Sequence, residues 1–246
     1  MSSRIILPLD HAPWDAARDI MQATKGLVWG YKIRRSVLER GLDVVRDIKQ
    51  FGNVMLDFKL YDIPSAMTES LKMHIDAGAD ITTVHCTAGY DPESGGLSKA
   101  RLAGVSILTS MGQDDFKRYY RGQEIADMVL KMAQAAQSRY EYLVCSANDL
   151  DRIDHLNIKK ICPGIRPSWY LTRDDQTRTA TPAAAVQNGA DLLVIGRPIL
   201  QADNMVDALG KNKCGDRKFI ALQIAHWVDY SIFTRTRRYC FFLANG

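Results

Sequence analysis

Leu56-Asp57-Phe58-Lys59-Leu60-Tyr61-Asp62-Ile63-Pro64 is an apolar strand that ends in an acid, a base and a second acid. Asp57 and Lys59 lie two apart on the strand, so both side chains are expected on one face, with Asp62 just past the strand end in a turn closed by Pro64. Three charges are thereby brought toward one small volume. A protein interior tolerates ionised groups only when they are paired, so a lysine between two carboxylates reads either as a stable cluster and proton source or as a salt-bridge network at a strand end.

The flanking sequence decides what kind of strand this is. Apolar, β-branched runs recur at Ile5 to Leu9, Leu27 to Ile33, Asn53 to Leu60, Ile81 to Cys86, Val105 to Leu108, Tyr142 to Cys145, Lys160 to Ile165 and Leu192 to Ile195. Segments of helical period separate them, among them Trp14 to Thr24, Ser36 to Phe51, Ser65 to Ala77, Glu124 to Ser138, Asn148 to Leu156 and Pro182 to Asn188, with Gly52, Gly78 and Gly189 as stop signals. Uniformly apolar strands alternating with helices predict a parallel sheet buried on both faces. Eight such units predict an α/β fold, a closed (β/α)8 TIM barrel. An open doubly wound sheet is the alternative, but Leu9-Asp10-His11-Ala12-Pro13 lacks the glycines of a nucleotide-binding first turn. The chain of 246 residues, 46% hydrophobic, suits a single barrel of roughly 250 residues.

A barrel concentrates its functional groups where strands end. Asp10 ends the first strand, Lys32 lies near the end of the second, Asp57 and Lys59 are in the third, His85 ends the fourth and Ser110 follows the fifth. Pro163-Gly164-Ile165-Arg166-Pro167 follows the seventh strand and Gly196-Arg197-Pro198 the eighth. Singly, His85 reads as a structural histidine and Lys32 as a barrel-end ion pair; their shared register with strand ends points to a site. Barrels often bind phosphate at their last two loops, where Gly196 allows close backbone approach and Arg197 offers a two-point fork. The long seventh loop, 166–181, reads as a surface excursion or as a lid whose Gln176 meets a ligand.

Charge and cysteine usage narrow the function classes. A formal charge of +4 with scattered basic residues calls for neither nucleic acid nor a membrane. No apolar run reaches the ~18 residues of a membrane span, and Met1-Ser2-Ser3 leads directly into a strand, so the expected compartment is the cytoplasm. Cys86, Cys145, Cys162, Cys214 and Cys240 show no CxxC or Cys/His spacing, which argues against a disulfide framework and a zinc site.

Leu9-Asp10, Tyr31-Lys32, the Asp57-to-Pro64 run, and the set Pro163-to-Pro167, Asp175-Gln176-Thr177-Arg178, Thr181-Pro182 and Gly196-Arg197-Pro198 together make the chain resemble the orotidine 5′-monophosphate decarboxylase family over residues 4–210. Asp-x-Lys-x-x-Asp alone is shared with related sugar-phosphate barrels; the Ile-Pro pair and the Asp-Gln-x-Arg segment make the likeness specific. The resemblance implies a homodimer that needs neither metal nor organic cofactor and converts orotidine 5′-monophosphate to uridine 5′-monophosphate and carbon dioxide. By the same resemblance Asp10 and Lys32 contact ribose, Asp57 and Lys59 face the reacting carbon, and Asp62 comes from the partner subunit. Ser110 reads the pyrimidine edge, while Gln176 and Arg197 hold phosphate, with Pro163 and Gly196 lining the ligand. The chain departs from the family at Ala66, where a small polar residue is usual, and at Arg34-Arg35, where glycine commonly follows the second strand.

The resemblance divides the chain into a barrel, 1–210, and a C-terminal segment, 211–246. That segment ends in the basic, aromatic run Phe233-Thr234-Arg235-Thr236-Arg237-Arg238-Tyr239-Cys240-Phe241-Phe242. It reads as a helix over Phe219 to Tyr230 packed outside the barrel, or as a nucleic-acid or partner contact. Two other functions compete with the decarboxylase. A Mg²⁺-dependent sugar-phosphate enzyme would want a carboxylate where Lys32 stands, and a silent nucleotide-binding barrel would not need Asp57, Lys59 and Asp62 intact.

Overall fold

The computed structural model describes residues 3–171 and 177–212. Eight strands, β1 (Ile5–Pro8), β2 (Gly30–Ile33), β3 (Asn53–Leu60), β4 (Ile81–His85), β5 (Leu102–Val105), β6 (Tyr142–Val144), β7 (Lys159–Cys162) and β8 (Leu192–Val194), pair in sequence order into a closed barrel. Every pairing is parallel, and β1 against β8 closes the ring. The helices are α1 (Trp14–Thr24), α2 (Arg35–Arg40), α3 (Val44–Lys49), α4 (Pro64–Asp76), α5 (Gln113–Tyr119), α6 (Ile125–Arg139), α7 (Leu150–Ile153), α8 (Pro182–Gln187), α9 (Arg197–Leu200) and α10 (Met205–Asn212).

Strand pleat sorts the core into two shells. Ile6, Met55, Ile81, Ala103, Val105, Val144, Ile161, Leu192 and Val194 fill the barrel interior. Their neighbours in sequence, such as Leu7, Leu56, Val84, Leu102, Leu143, Cys162 and Leu193, meet the helices outside. Counting in twos from the interior residues places Pro8 and Asp10, Asp57 and Lys59, and Thr83 and His85 on the inward face toward the C-terminal mouth. From β2 the interior position is Gly30, where a Cβ would stand 2.1 Å from the Asn53 carbonyl oxygen. Only glycine permits that approach, and two residues on the same face carries Lys32.

The helices follow amphipathic spacing. Ala16, Ala17, Ile20, Met21 and Thr24 form the buried stripe of α1, and Ile125, Val129, Met132, Ala133 and Ala136 that of α6. Pro182 opens α8 behind Thr181, whose hydroxyl accepts the Ala184 N–H at 3.2 Å. Tyr31, beside Lys32, turns outward and donates to the Met21 carbonyl at 3.1 Å, anchoring β2 on α1.

Three elements differ from the sequence expectation. The fifth strand lies at Leu102–Val105 rather than Val105 to Leu108. A Cβ on Gly104 would meet the Tyr140 ring at 2.5 Å, so a glycine within the strand is what lets Tyr140 cross it. The helix expected over Ser36 to Phe51 is two helices, because Gly41 takes φ +75° and its N–H closes α2 on the Val37 carbonyl. Asn148 to Leu156 is a 3₁₀ turn, Ala147–Asp149, followed by the single turn of α7. Cys145 and Cys162 are buried in the core, and Cys86 is half-buried. Cys214, Cys240, the Phe219 to Tyr230 helix and the basic run lie outside the described residues, as does Gln176.

Candidate active site at the barrel mouth

Four alternating charges cross the C-terminal mouth from β1 to β3. Lys32 pairs with Asp10 and, at 2.9 Å, with Asp57 Oδ2; the same oxygen accepts from Lys59 Nζ at 2.8 Å. Asp10, Lys32 and Asp57 are 18%, 15% and 9% exposed and Lys59 35%, so Lys59 is the end offered to the mouth. Burial alone would raise the Asp57 pKa, but Lys32 and Lys59 outweigh it and hold the carboxyl at about 2. Burial likewise pushes the Lys32 ammonium down, and Asp57 and Asp10 more than restore it, leaving its pKa above the ordinary value. Asp10 keeps one buried oxygen, Oδ1, without a hydrogen-bond partner.

Lys59 does not lie on a regular strand. Its φ is +50°, and the β3–β4 register shifts between Leu56 and Leu60. This is a bulge, which re-aims a side chain beside a site at some conformational cost. The displaced Lys59 N–H donates to Thr83 Oγ1 at 2.8 Å, and that hydroxyl donates to Asp57 Oδ1 at 3.1 Å. Sequence reading did not single out Thr83; a polar residue midway between inward-facing Ile81 and His85 was the available signal. His85 meets Tyr61 edge to face at 5.6 Å, and its Nδ1 bonds the Thr87 hydroxyl at 2.7 Å. Burial, then Lys59, lowers the His85 pKa, favouring the neutral ring.

Asp62 stands apart from this row. It is exposed, accepts the Ile63 N–H at 2.7 Å, and has no ion-pair partner among the described residues. The cluster expected from Asp57, Lys59 and Asp62 is, within one chain, Asp10, Lys32, Asp57 and Lys59. Asp62 lies beyond the last inward-facing strand position, and the resemblance assigns it to the partner's site, whereas Asp10 and Lys32 arrive from neighbouring strands.

The opposite side of the mouth is built from loops. The seventh loop leaves at Pro163 and Gly164 and returns at Ala180, where its neck is bridged to Ile165; Arg166 N–H bonds the Ala180 carbonyl at 2.8 Å. Beyond the neck, the Thr177 hydroxyl and the Arg178 N–H both donate to the Thr109 carbonyl, at 3.0 and 3.3 Å. Ser110 follows directly and is exposed at the rim. Arg178 is ion-paired with buried Asp149 from the sixth strand end, where sequence reading found no candidate. Burial raises the Asp149 pKa more than Arg178 lowers it. Gly196 follows β8 so closely against Pro8 that a Cβ would stand 2.9 Å from its Cγ, and Arg197 opens α9 beside it. Among the described residues no group of three or more His, Cys, Asp or Glu is placed to hold a metal, and no helix is long and apolar enough to cross a membrane.

Comparisons with known proteins agree with this geometry. Orotidine 5′-phosphate decarboxylase of Desulfosudis oleivorans is 33% identical over 221 residues, 83% of this chain and 89% of that protein. The enzyme of the same name from Lawsonia intracellularis is 33% identical over 220 residues, 83% of this chain and 95% of that one. The crystal structure of orotidine 5′-phosphate decarboxylase from Lactobacillus acidophilus superposes with a TM-score of 0.70 at 25% identity, covering 86% of this chain and 97% of its own. Residues 3–211 match the Orotidine 5′-phosphate decarboxylase / HUMPS family, and the chain belongs to it.

Proposed function

We propose that the chain converts orotidine 5′-monophosphate to uridine 5′-monophosphate and carbon dioxide, with Lys59 as the group that stabilises and then protonates C6. The observation that carries this reading is the alternating row Asp10, Lys32, Asp57 and Lys59, with Lys59 as its more exposed end. Breaking the bond between C6 and its carboxylate leaves the electron pair on C6 while carbon dioxide departs. The Lys59 ammonium stands where that charge develops and then gives C6 its proton; water later returns one to the amine. Asp57 next to the substrate carboxylate would raise the ground state by about 4 kcal/mol at ~4 Å and an effective dielectric of ~20. Two ammonium groups on Asp57 Oδ2 blunt that repulsion, so stabilisation by Lys59 ranks above it.

The remaining roles follow the likeness to the family. Asp10 Oδ1, buried and without a hydrogen-bond partner, suits a ribose hydroxyl donor beside Lys32. Ser110 reads the pyrimidine edge, and Gln176, Gly196 and Arg197 take the phosphate past Pro163. Exposed Tyr61 and Ile63, each 65% accessible, flank Asp62 as an apolar pair suited to a second copy, which would carry Asp62 into the partner's site. The catalytic unit is assigned to residues 1–210.

Decline of orotidine 5′-monophosphate absorbance in EDTA, run beside Lys59→Ala, tests the reaction, and sedimentation tests the dimer. Turnover should fall about 10⁴-fold in the variant, the combined scale of a lost general acid and a lost electrostatic group. Absence of turnover by the folded wild-type dimer would sink the reading and direct attention to Mg²⁺-dependent sugar phosphates.

A further inference from the structure

Thr83 is fully buried in the barrel interior between two charged residues of the neighbouring strand, and the reaction as written does not use it. Its hydroxyl has one proton and two lone pairs. The proton faces Asp57 Oδ1 at 3.1 Å and, less favourably, the uncharged Leu56 carbonyl at 3.4 Å. A lone pair takes the Lys59 N–H at 2.8 Å. That N–H is displaced from the regular ladder by the bulge at Lys59, so without Thr83 it would lose its partner in the interior.

One hydroxyl therefore holds both ends of the Lys59 residue. It fixes the main chain directly, and it fixes the carboxylate whose other oxygen binds the ammonium at 2.8 Å. We propose that Thr83 is the positioning residue of this site, its hydroxyl bridging the Lys59 backbone and Asp57 so that the Lys59 ammonium is aimed at the reacting carbon. This rests on the role of Lys59 given above. Threonine suits the task because its β-branch restricts χ1 on a strand, which points the hydroxyl rather than letting it rotate among partners. Valine has the same shape but would leave the Lys59 N–H and Asp57 Oδ1 each one partner short.

The test compares Thr83→Val and Thr83→Ser with wild type, reading kcat and KM for orotidine 5′-monophosphate and the Asp57 carboxyl titration by NMR. Thr83→Val should lower kcat about 10²-fold, the cost of a small misplacement of a catalytic group, with KM little changed. Asp57 should titrate at higher pH in that variant, with Lys32 and Lys59 still on its other oxygen, and Thr83→Ser should restore most of both. Wild-type kcat and an unmoved Asp57 titration in Thr83→Val would overturn the proposal, as would equal loss in the valine and serine variants. If wild type itself does not turn over the nucleotide, the functional reading fails, and the Asp57 titration alone decides whether Thr83 positions the pair. Should valine not give a folded barrel by circular dichroism, Thr83→Ala carries the same expectations.

Discussion

The two sides of the barrel mouth hold their charges by different means. From β1 to β3 the ionised groups sit on strands or directly at their ends, and each carboxylate faces a lysine. Asp57 has two ammonium groups on one oxygen and a hydroxyl on the other, and its pKa falls to about 2 despite burial. Across the mouth, Asp149 is buried with Arg178 on one oxygen and no hydrogen-bond partner on the other, and its pKa rises. Two lysines on one oxygen overcome desolvation at Asp57, whereas Arg178, with Arg152 adding to it, does not at Asp149. The groups proposed for the chemical step are thus on strands with their charges favoured, while the buried carboxylate behind the seventh loop has its ionised form disfavoured. Strand placement suits a proton donor that must stand at one point; loops suit recognition that must admit and release a ligand.

Asp57→Asn should break this contrast most severely. It unties Lys59 and leaves Lys32 with Asp10 alone, so kcat should fall about 10³-fold, the upper scale for a lost preorganised electrostatic group. The same variant tests the stability side. A carboxyl lowered from 3.8 to about 2 contributes about 2 kcal/mol, present above the unfolded value and lost as pH falls through the folded one. Thermal denaturation from pH 5 to pH 2 should therefore show an acid-side loss in wild type that is smaller in Asp57→Asn by that amount.

Asp149→Asn should behave in the opposite sense. The raised pKa means that burial disfavours the ionised carboxyl, so relative to the variant, wild type is favoured at low pH and loses that advantage as pH rises through the folded pKa. At neutral pH the amide still accepts from Arg178, and stability should change by only about 1 kcal/mol. Loosening the seventh loop beside Thr109 and Ser110 should raise KM several-fold with kcat retained, which steady-state kinetics will separate. A fall in kcat equal to that of Asp57→Asn would erase the distinction between the two sides.

Glu39→Gln supplies the smallest effect. Glu39 pairs with Arg35 at 2.6 Å on the surface of α2, with both side chains more than two-fifths exposed. Its loss should cost less than about 0.5 kcal/mol by thermal melting and leave both kinetic constants unchanged.

Much of the row was legible because its residues fall where apolar runs end. Strand-end position finds Asp10 and Lys32, the period of two finds Asp57 and Lys59 together, and the apolar alternation with helices finds the barrel. Asp149 and Thr83 were not legible. Asp149 lies in a 3₁₀ turn after β6, and its importance depends on Arg178, 29 residues away. Thr83 matters only because β3 bulges against it, and a bulge at a lysine carries no glycine to announce it.

The amino-acid sequence by itself determined the eight alternating units, the inward face of each strand and the acid and base types at the mouth, because those follow from a period of two and from apolar content. Tertiary structure alone decided that Asp10, rather than Asp62, completes the row of charges within one chain. It also decided that β5 runs through Gly104 and that Thr83 bridges Lys59 to Asp57. These depend on distances between strands that are remote along the chain, and hydrogen bonds are set by those distances to within a few tenths of an ångström.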